Sequence, residues 1–95
     1  MSEDFLLAEA VDIAVPNGVL AFHSTDSRRD IGRGFGDLVL VGGNVLFVEL
    51  KSATGKLSSE QISWKYRLMA TGAHYAVWIP GNLESGHIEA VMEIL

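Results

Sequence analysis

Two acids and a lysine are the residues of this chain best placed to do chemistry together: Asp37, Glu49 and Lys51. They lie at or beside the ends of two apolar runs, residues 37–41 and 44–51, with Gly42-Gly43 between them. Gly-Gly between β-prone runs signals a hairpin, so the two strands are expected to pair antiparallel. Side chains alternate along a strand, which puts Glu49 and Lys51 on one face. Pairing about the turn then brings Asp37 beside that face. Carboxylates suit a hard cation such as Mg²⁺, and a lysine close by can activate water or offset developing charge. Val45 and Phe47 share the face, so these charges need partners or a metal. The competing reading is a solvated Glu–Lys pair at an ordinary strand end.

The elements that must hold these residues follow from pattern and punctuation. Residues 3 to about 15 read as a helix: Ser2 can cap, Glu3 and Asp4 suit its N-terminus, and apolar positions 5, 6, 10 and 13 recur at helical spacing. Pro16-Asn17-Gly18 stops it. Residues 19–23 form a short strand ending at His23, followed by a polar, glycine-rich loop over 24–36. A loop that long in so small a domain is more often functional than idle. Ser58 with Gln61 has the spacing of a capping box and opens a helix running to about Ala70. That helix carries Ile62, Tyr66 and Met69 or Ala70 on one face, and Gly72 ends it. Residues 74–79 are strongly β-prone and are closed by Pro80-Gly81. Residues 85–95 are expected to be a terminal helix, with Ile88, Val91, Met92 and Leu95 inward. The order is αβββαβα, and the strand–helix–strand from 45 to 79 fits a right-handed crossover in a mixed sheet flanked by helices.

The 95 residues bound the chain to one small domain, with 48% apolar and 20% charged residues. Absence of cysteine excludes a disulfide framework and a thiolate zinc site. No run is long enough to span a membrane and no basic-then-apolar leader opens the chain, so a cytoplasmic protein is expected. The net charge of −5 argues against nucleic acid until its distribution is considered. All seven basic residues fall between positions 28 and 67 against four acids, which makes that stretch +3. The flanks carry the other eight acids and no lysine or arginine. A basic centre around a candidate metal site is what an approaching polyanion requires.

Within that centre Arg28, Arg29, Arg33 and Lys56 are candidate phosphate contacts, with a solvated surface as the alternative. His23 could reach phosphate or serve structure alone. Trp64 and Trp78 read as core residues. Gly32, Gly34 and Gly36 precede a strand rather than a helix, which excludes a nucleotide-binding loop.

Taken in order, Gly34-Phe35-Gly36-Asp37, Phe47-Val48-Glu49-Leu50-Lys51-Ser52, Gly55-Lys56-Leu57-Ser58, Gln61 and Trp64 resemble the PD-(D/E)XK nuclease superfamily. More narrowly, with His23 and Val77-Trp78-Ile79-Pro80, the chain resembles a stand-alone virus-type replication-repair nuclease (VRR-NUC) domain of the kind found in bacteriophages. The likeness covers nearly the whole chain, residues 1–95. It implies a restriction-endonuclease-like α/β core and Mg²⁺- or Mn²⁺-dependent hydrolysis of DNA phosphodiester bonds, selective for branched or junction DNA. By position it makes Asp37 and Glu49 metal ligands, with the Leu50 carbonyl as a third oxygen and Lys51 as the group that orients water. Gln61 would hold water or phosphate near the metal, and Glu9, with Asp12 a turn further on, is the matching acid of the first helix. The resemblance also implies a homodimer. One departure stands out: Gly36 occupies the place of the family's proline, and would loosen entry into the strand. Two other readings remain: a non-cleaving or partner-dependent DNA-structure-binding module of the same fold, and a plain interaction protein.

Overall fold

Alternation of apolar and polar positions sorts the central sheet into two unlike faces. The structure, a computed structural model, describes residues 2–23 and 32–95. Four strands form one sheet in the order β1 (Leu20–His23), β2 (Leu38–Val41), β3 (Val45–Leu50), β4 (His74–Trp78). The first three pair antiparallel, and β4 joins β3 in parallel, so the sheet is mixed. Helix α1 (Glu3–Ala14) precedes the sheet, α2 (Ser59–Ala70) links β3 to β4, and α3 (Pro80–Glu84) and α4 (His87–Ile94) follow. No helix among the described residues is long and apolar enough to cross a membrane.

One face of the sheet is the core. Leu38, Leu40, Leu46, Val48, Leu50 and Trp78 meet Leu6, Ala10 and Ala14 of α1 and Ile88 and Met92 of α4. The buried stripe of α1 runs through Ala10 and Ala14 rather than Phe5 and Ile13, because small side chains let the helix lie close on the strands. Ser2 caps this helix as expected, accepting from the Phe5 N–H at 3.1 Å.

The opposite face carries Leu20, Phe22, Val39, Val41, Val45, Phe47, Glu49, Tyr75 and Val77, as the register requires. Helix α2 lies on this face, but its orientation differs from expectation. Ile62, Tyr66 and Met69 point to solvent, while Gln61, Trp64 and Leu68 are half-buried. On the inward side Gln61 reaches the buried Glu49 carboxyl and Trp64 packs on Phe35. A second difference is at Pro80-Gly81, expected to be a turn. Proline is suited to a first helical turn, and Asn82 accepts from the Ile79 N–H at 2.8 Å, so α3 starts where the strand stops.

Candidate metal and phosphate site

The site begins where β2 enters the sheet. Leu38 pairs with Val48, so the preceding Asp37 falls beside Glu49. Asp37 Oδ2 accepts from the Leu50 N–H at 2.8 Å, which fixes its side chain across the strand end. Glu49 is buried at 2% exposure and sits opposite Asp37 in the strand register, near enough for the two carboxyls to act on each other electrostatically. Lys51 Nζ stands 3.5 Å from Glu49 Oε1. Asp37, twelve positions before Glu49, is therefore brought to the strand end that carries Glu49 and Lys51, as the hairpin argument expects.

Burial, then the Asp37 carboxylate, pushes the Glu49 carboxyl up to about 8, with Lys51 pulling the other way. Among the described residues Glu49 Oε2 is buried without a hydrogen-bond partner. A buried carboxylate oxygen with no donor is costly unless a cation neutralises it. Mg²⁺ is commonly bound through one or two carboxylates while keeping several waters, so the donor set of Asp37 and Glu49 fits a small hard cation. No group of three or more His, Cys, Asp or Glu side chains that could hold a metal is assembled among the described residues, so Glu9, half-buried on α1, does not join the pair. The Leu50 side chain is in the core, and its N–H is the group placed against Asp37.

Gln61 closes the site from the helix side. Its Nε2 donates to Glu49 Oε1 at 2.5 Å, while its Oε1 accepts from the Ser58 N–H at 2.8 Å. The Ser58 hydroxyl accepts in turn from the Gln61 N–H at 3.2 Å, completing the capping box. Both ends of the amide are thus engaged within the protein.

The segment before β2 is held against the same helix. A Cβ at Gly34, whose φ is +87°, would lie 2.6 Å from the Glu60 backbone. Gly34→Ala is therefore expected to lose about 2 kcal/mol or more of stability in urea unfolding, from strain and collision together. Gly36 is buried, and a Cβ there would sit 2.9 Å from the Val48 carbonyl oxygen. It does not loosen the strand entry; it allows the backbone to press against β3. Phe35 stands edge-on to both Phe47 and Trp64, and the Trp64 indole donates to the Arg33 carbonyl at 2.9 Å. Trp64 thus packs under this segment rather than in the main core.

Arg33, Lys51, Lys56, Ser58 and Gln61 line one open cleft of about 480 Å³ beside the carboxylate pair, with Glu60 on its rim. Two of the candidate phosphate contacts, Arg33 and Lys56, are brought together there with Lys51. His23 is exposed at the end of β1, and its pairing with Leu38 places it on the other sheet face from Glu49. Strand alternation separates it from the cleft. Arg28 and Arg29 lie outside the described residues.

Tyr75 is a neighbour the sequence reading missed. It pairs with Phe47 on the Glu49 face, and among the described residues its buried hydroxyl has no partner. Burial, then Glu49 and Asp37, pushes it up to about 12. Its place on that face follows from alternation only once the β3–β4 register is known. Comparison with known proteins gives no match to a family model, a curated protein or a solved structure.

Proposed function

We propose that this chain is a divalent-metal-dependent nuclease that hydrolyses DNA phosphodiester bonds, on a restriction-endonuclease-like core of the virus-type replication-repair kind. The observation that carries the reading is Glu49: among the described residues its buried Oε2 has no donor, Asp37 lies beside it across the strands, and Lys51 stands 3.5 Å from its Oε1. When bound, Mg²⁺ or Mn²⁺ would supply Lewis-acid polarisation of the phosphoryl oxygen. Asp37 and Glu49 would hold it, with the Leu50 carbonyl as a further oxygen.

The chain's own residues account for the rest. Lys51 points its ammonium into the cleft, where it can orient the attacking water and offset charge on the phosphate. Arg33 and Lys56 line the same cleft and can take the flanking phosphates. One P–O bond forms to water and one breaks to the departing strand. Branched or junction DNA is the proposed substrate form, and the active species is a homodimer. A sheet surface with Leu20 and Phe22 at 72% and 64% exposure, beside Val41 and Val45, supports self-association. Such an uncharged patch is self-complementary about a two-fold axis.

The test is a labelled panel of duplex, flap and four-way-junction DNA, incubated with Mn²⁺, Mg²⁺ or EDTA. Cutting that needs the cation and prefers a branched substrate is the expected result. Cation-dependent binding without cutting would favour the partner-dependent module, and neither would leave only the fold. Sedimentation of the parent and of Phe22→Asp in the same buffer tests the dimer: the variant is expected to be monomeric.

A further inference from the structure

The two oxygens of Glu49 have different surroundings. Oε1 takes the 2.5 Å hydrogen bond from Gln61 and faces Lys51, whereas Oε2 is buried without a donor among the described residues. Gln61 cannot readily let go. Turning its amide over would set its oxygen against the Glu49 carboxylate and its NH₂ against the Ser58 N–H. The helix turn that carries it is backed by Gly34, where an added Cβ would be 2.8 Å from the Gln61 nitrogen. Loop backbone, helix cap, glutamine amide and strand carboxylate form one chain of contacts.

We propose that Gln61 is a positioning residue that confines Glu49 to binding through one oxygen, and so selects a small octahedral cation, Mg²⁺ or Mn²⁺, over Ca²⁺. The inference rests on the metal-site reading above and adds how the site chooses its ion. Ca²⁺ takes about six to eight oxygens and often grips a carboxylate by both, whereas Mg²⁺ demands near-ideal six-fold geometry and keeps its waters. Oε1 already accepts from Gln61 and faces Lys51 at 3.5 Å, so a cation gripping Glu49 by both oxygens has to displace one of them. Outer contacts of this sort orient a ligand without touching the ion.

Calorimetric titration of the metal-free full chain with MnCl₂ and with CaCl₂, at one fixed pH, tests this in the parent, Gln61→Met and Ser58→Ala. The parent is expected to bind Mn²⁺ more tightly than Ca²⁺. Gln61→Met keeps the side-chain length but lacks the donor, and should narrow the ratio of the two dissociation constants by about tenfold. Ser58→Ala weakens the same helix cap but leaves the Gln61–Glu49 bond, and should keep the parent's ratio. Should methionine unfold the helix, Gln61→Leu, a helix former that lacks the donor and adds no ligand, should shift the ratio in the same direction. An unchanged ratio in both Gln61 variants, or equal narrowing in Ser58→Ala, overturns the positioning role. A parent that binds neither ion overturns the metal site itself, a result distinct from a parent that binds both without regard to Gln61.

Discussion

On the proposed function, a Lys51→Ala protein is expected to fold, bind cation and hold DNA, yet to cleave on the order of a thousandfold more slowly than its parent. The separation of effects follows from where Lys51 sits. Its side chain is 16% exposed beyond the end of β3 and contributes nothing to the apolar core on the other face. Glu49 keeps its bond to Gln61 and Asp37 keeps its bond to the Leu50 N–H, so the carboxylate pair stays assembled without the lysine. What disappears is a cation fixed where negative charge builds as water attacks. Arg33 and Lys56 still line the cleft, which preserves most of the affinity for phosphate. Single-turnover rates in Mn²⁺, with binding followed separately by anisotropy, give both quantities. Cleavage within about tenfold of the parent would be too small a loss for a group that acts on the transition state.

Glu49→Gln should do the reverse: stabilise the metal-free protein and abolish its response to Mn²⁺. Below the ordinary carboxyl range Glu49 is protonated in both folded and unfolded chains, and it contributes no slope. Between that range and about 8 the unfolded chain releases the proton while the folded chain keeps it. Stability therefore falls as pH rises through that window, because the folded state binds more protons. Glutamine removes the burden, keeps the oxygen that Gln61 bonds, and offers an NH₂ to the neighbouring acid. At pH 8 in EDTA the variant is expected to be more stable than the parent by roughly 1–3 kcal/mol, with the difference shrinking toward pH 5. Urea unfolding at several pH values measures it, and parallel profiles for the two proteins would rule the assignment out. In the parent, Mn²⁺ should raise the midpoint more at pH 8 than at pH 6, since binding displaces the Glu49 proton.

Much of this architecture was legible in the sequence for identifiable reasons. Period-2 alternation through Leu46, Val48 and Leu50 against Phe47 and Glu49 fixed both faces of β3, and pairing about Gly42-Gly43 placed Asp37. Ser58 and Gln61 announced the start of α2 by their spacing. The inward side of α2 differs from the expected one because Trp64 and Leu68, with Gln61 reaching Glu49, turn inward while Ile62, Tyr66 and Met69 face solvent. Gly36 reads in the sequence as slack, whereas its place in the fold is one of close approach, which depends on the Val48 carbonyl twelve positions away. His23 lies close to the site in chain order, yet on the wrong face. The double engagement of Gln61 was likewise invisible, since one half of it crosses from helix to sheet.

The indole of Trp64 adds a practical consequence. It is anchored to the Arg33 carbonyl at the cleft's edge, whereas Trp78 is sealed in the core at 1% exposure. The two indoles therefore inhabit different environments, one buried in the core, the other tied to the rim that phosphate would approach in the proposed function. A Trp78→Phe chain would carry a single emitter beside Arg33, turning the arrival of nucleic acid into an optical signal without any added label.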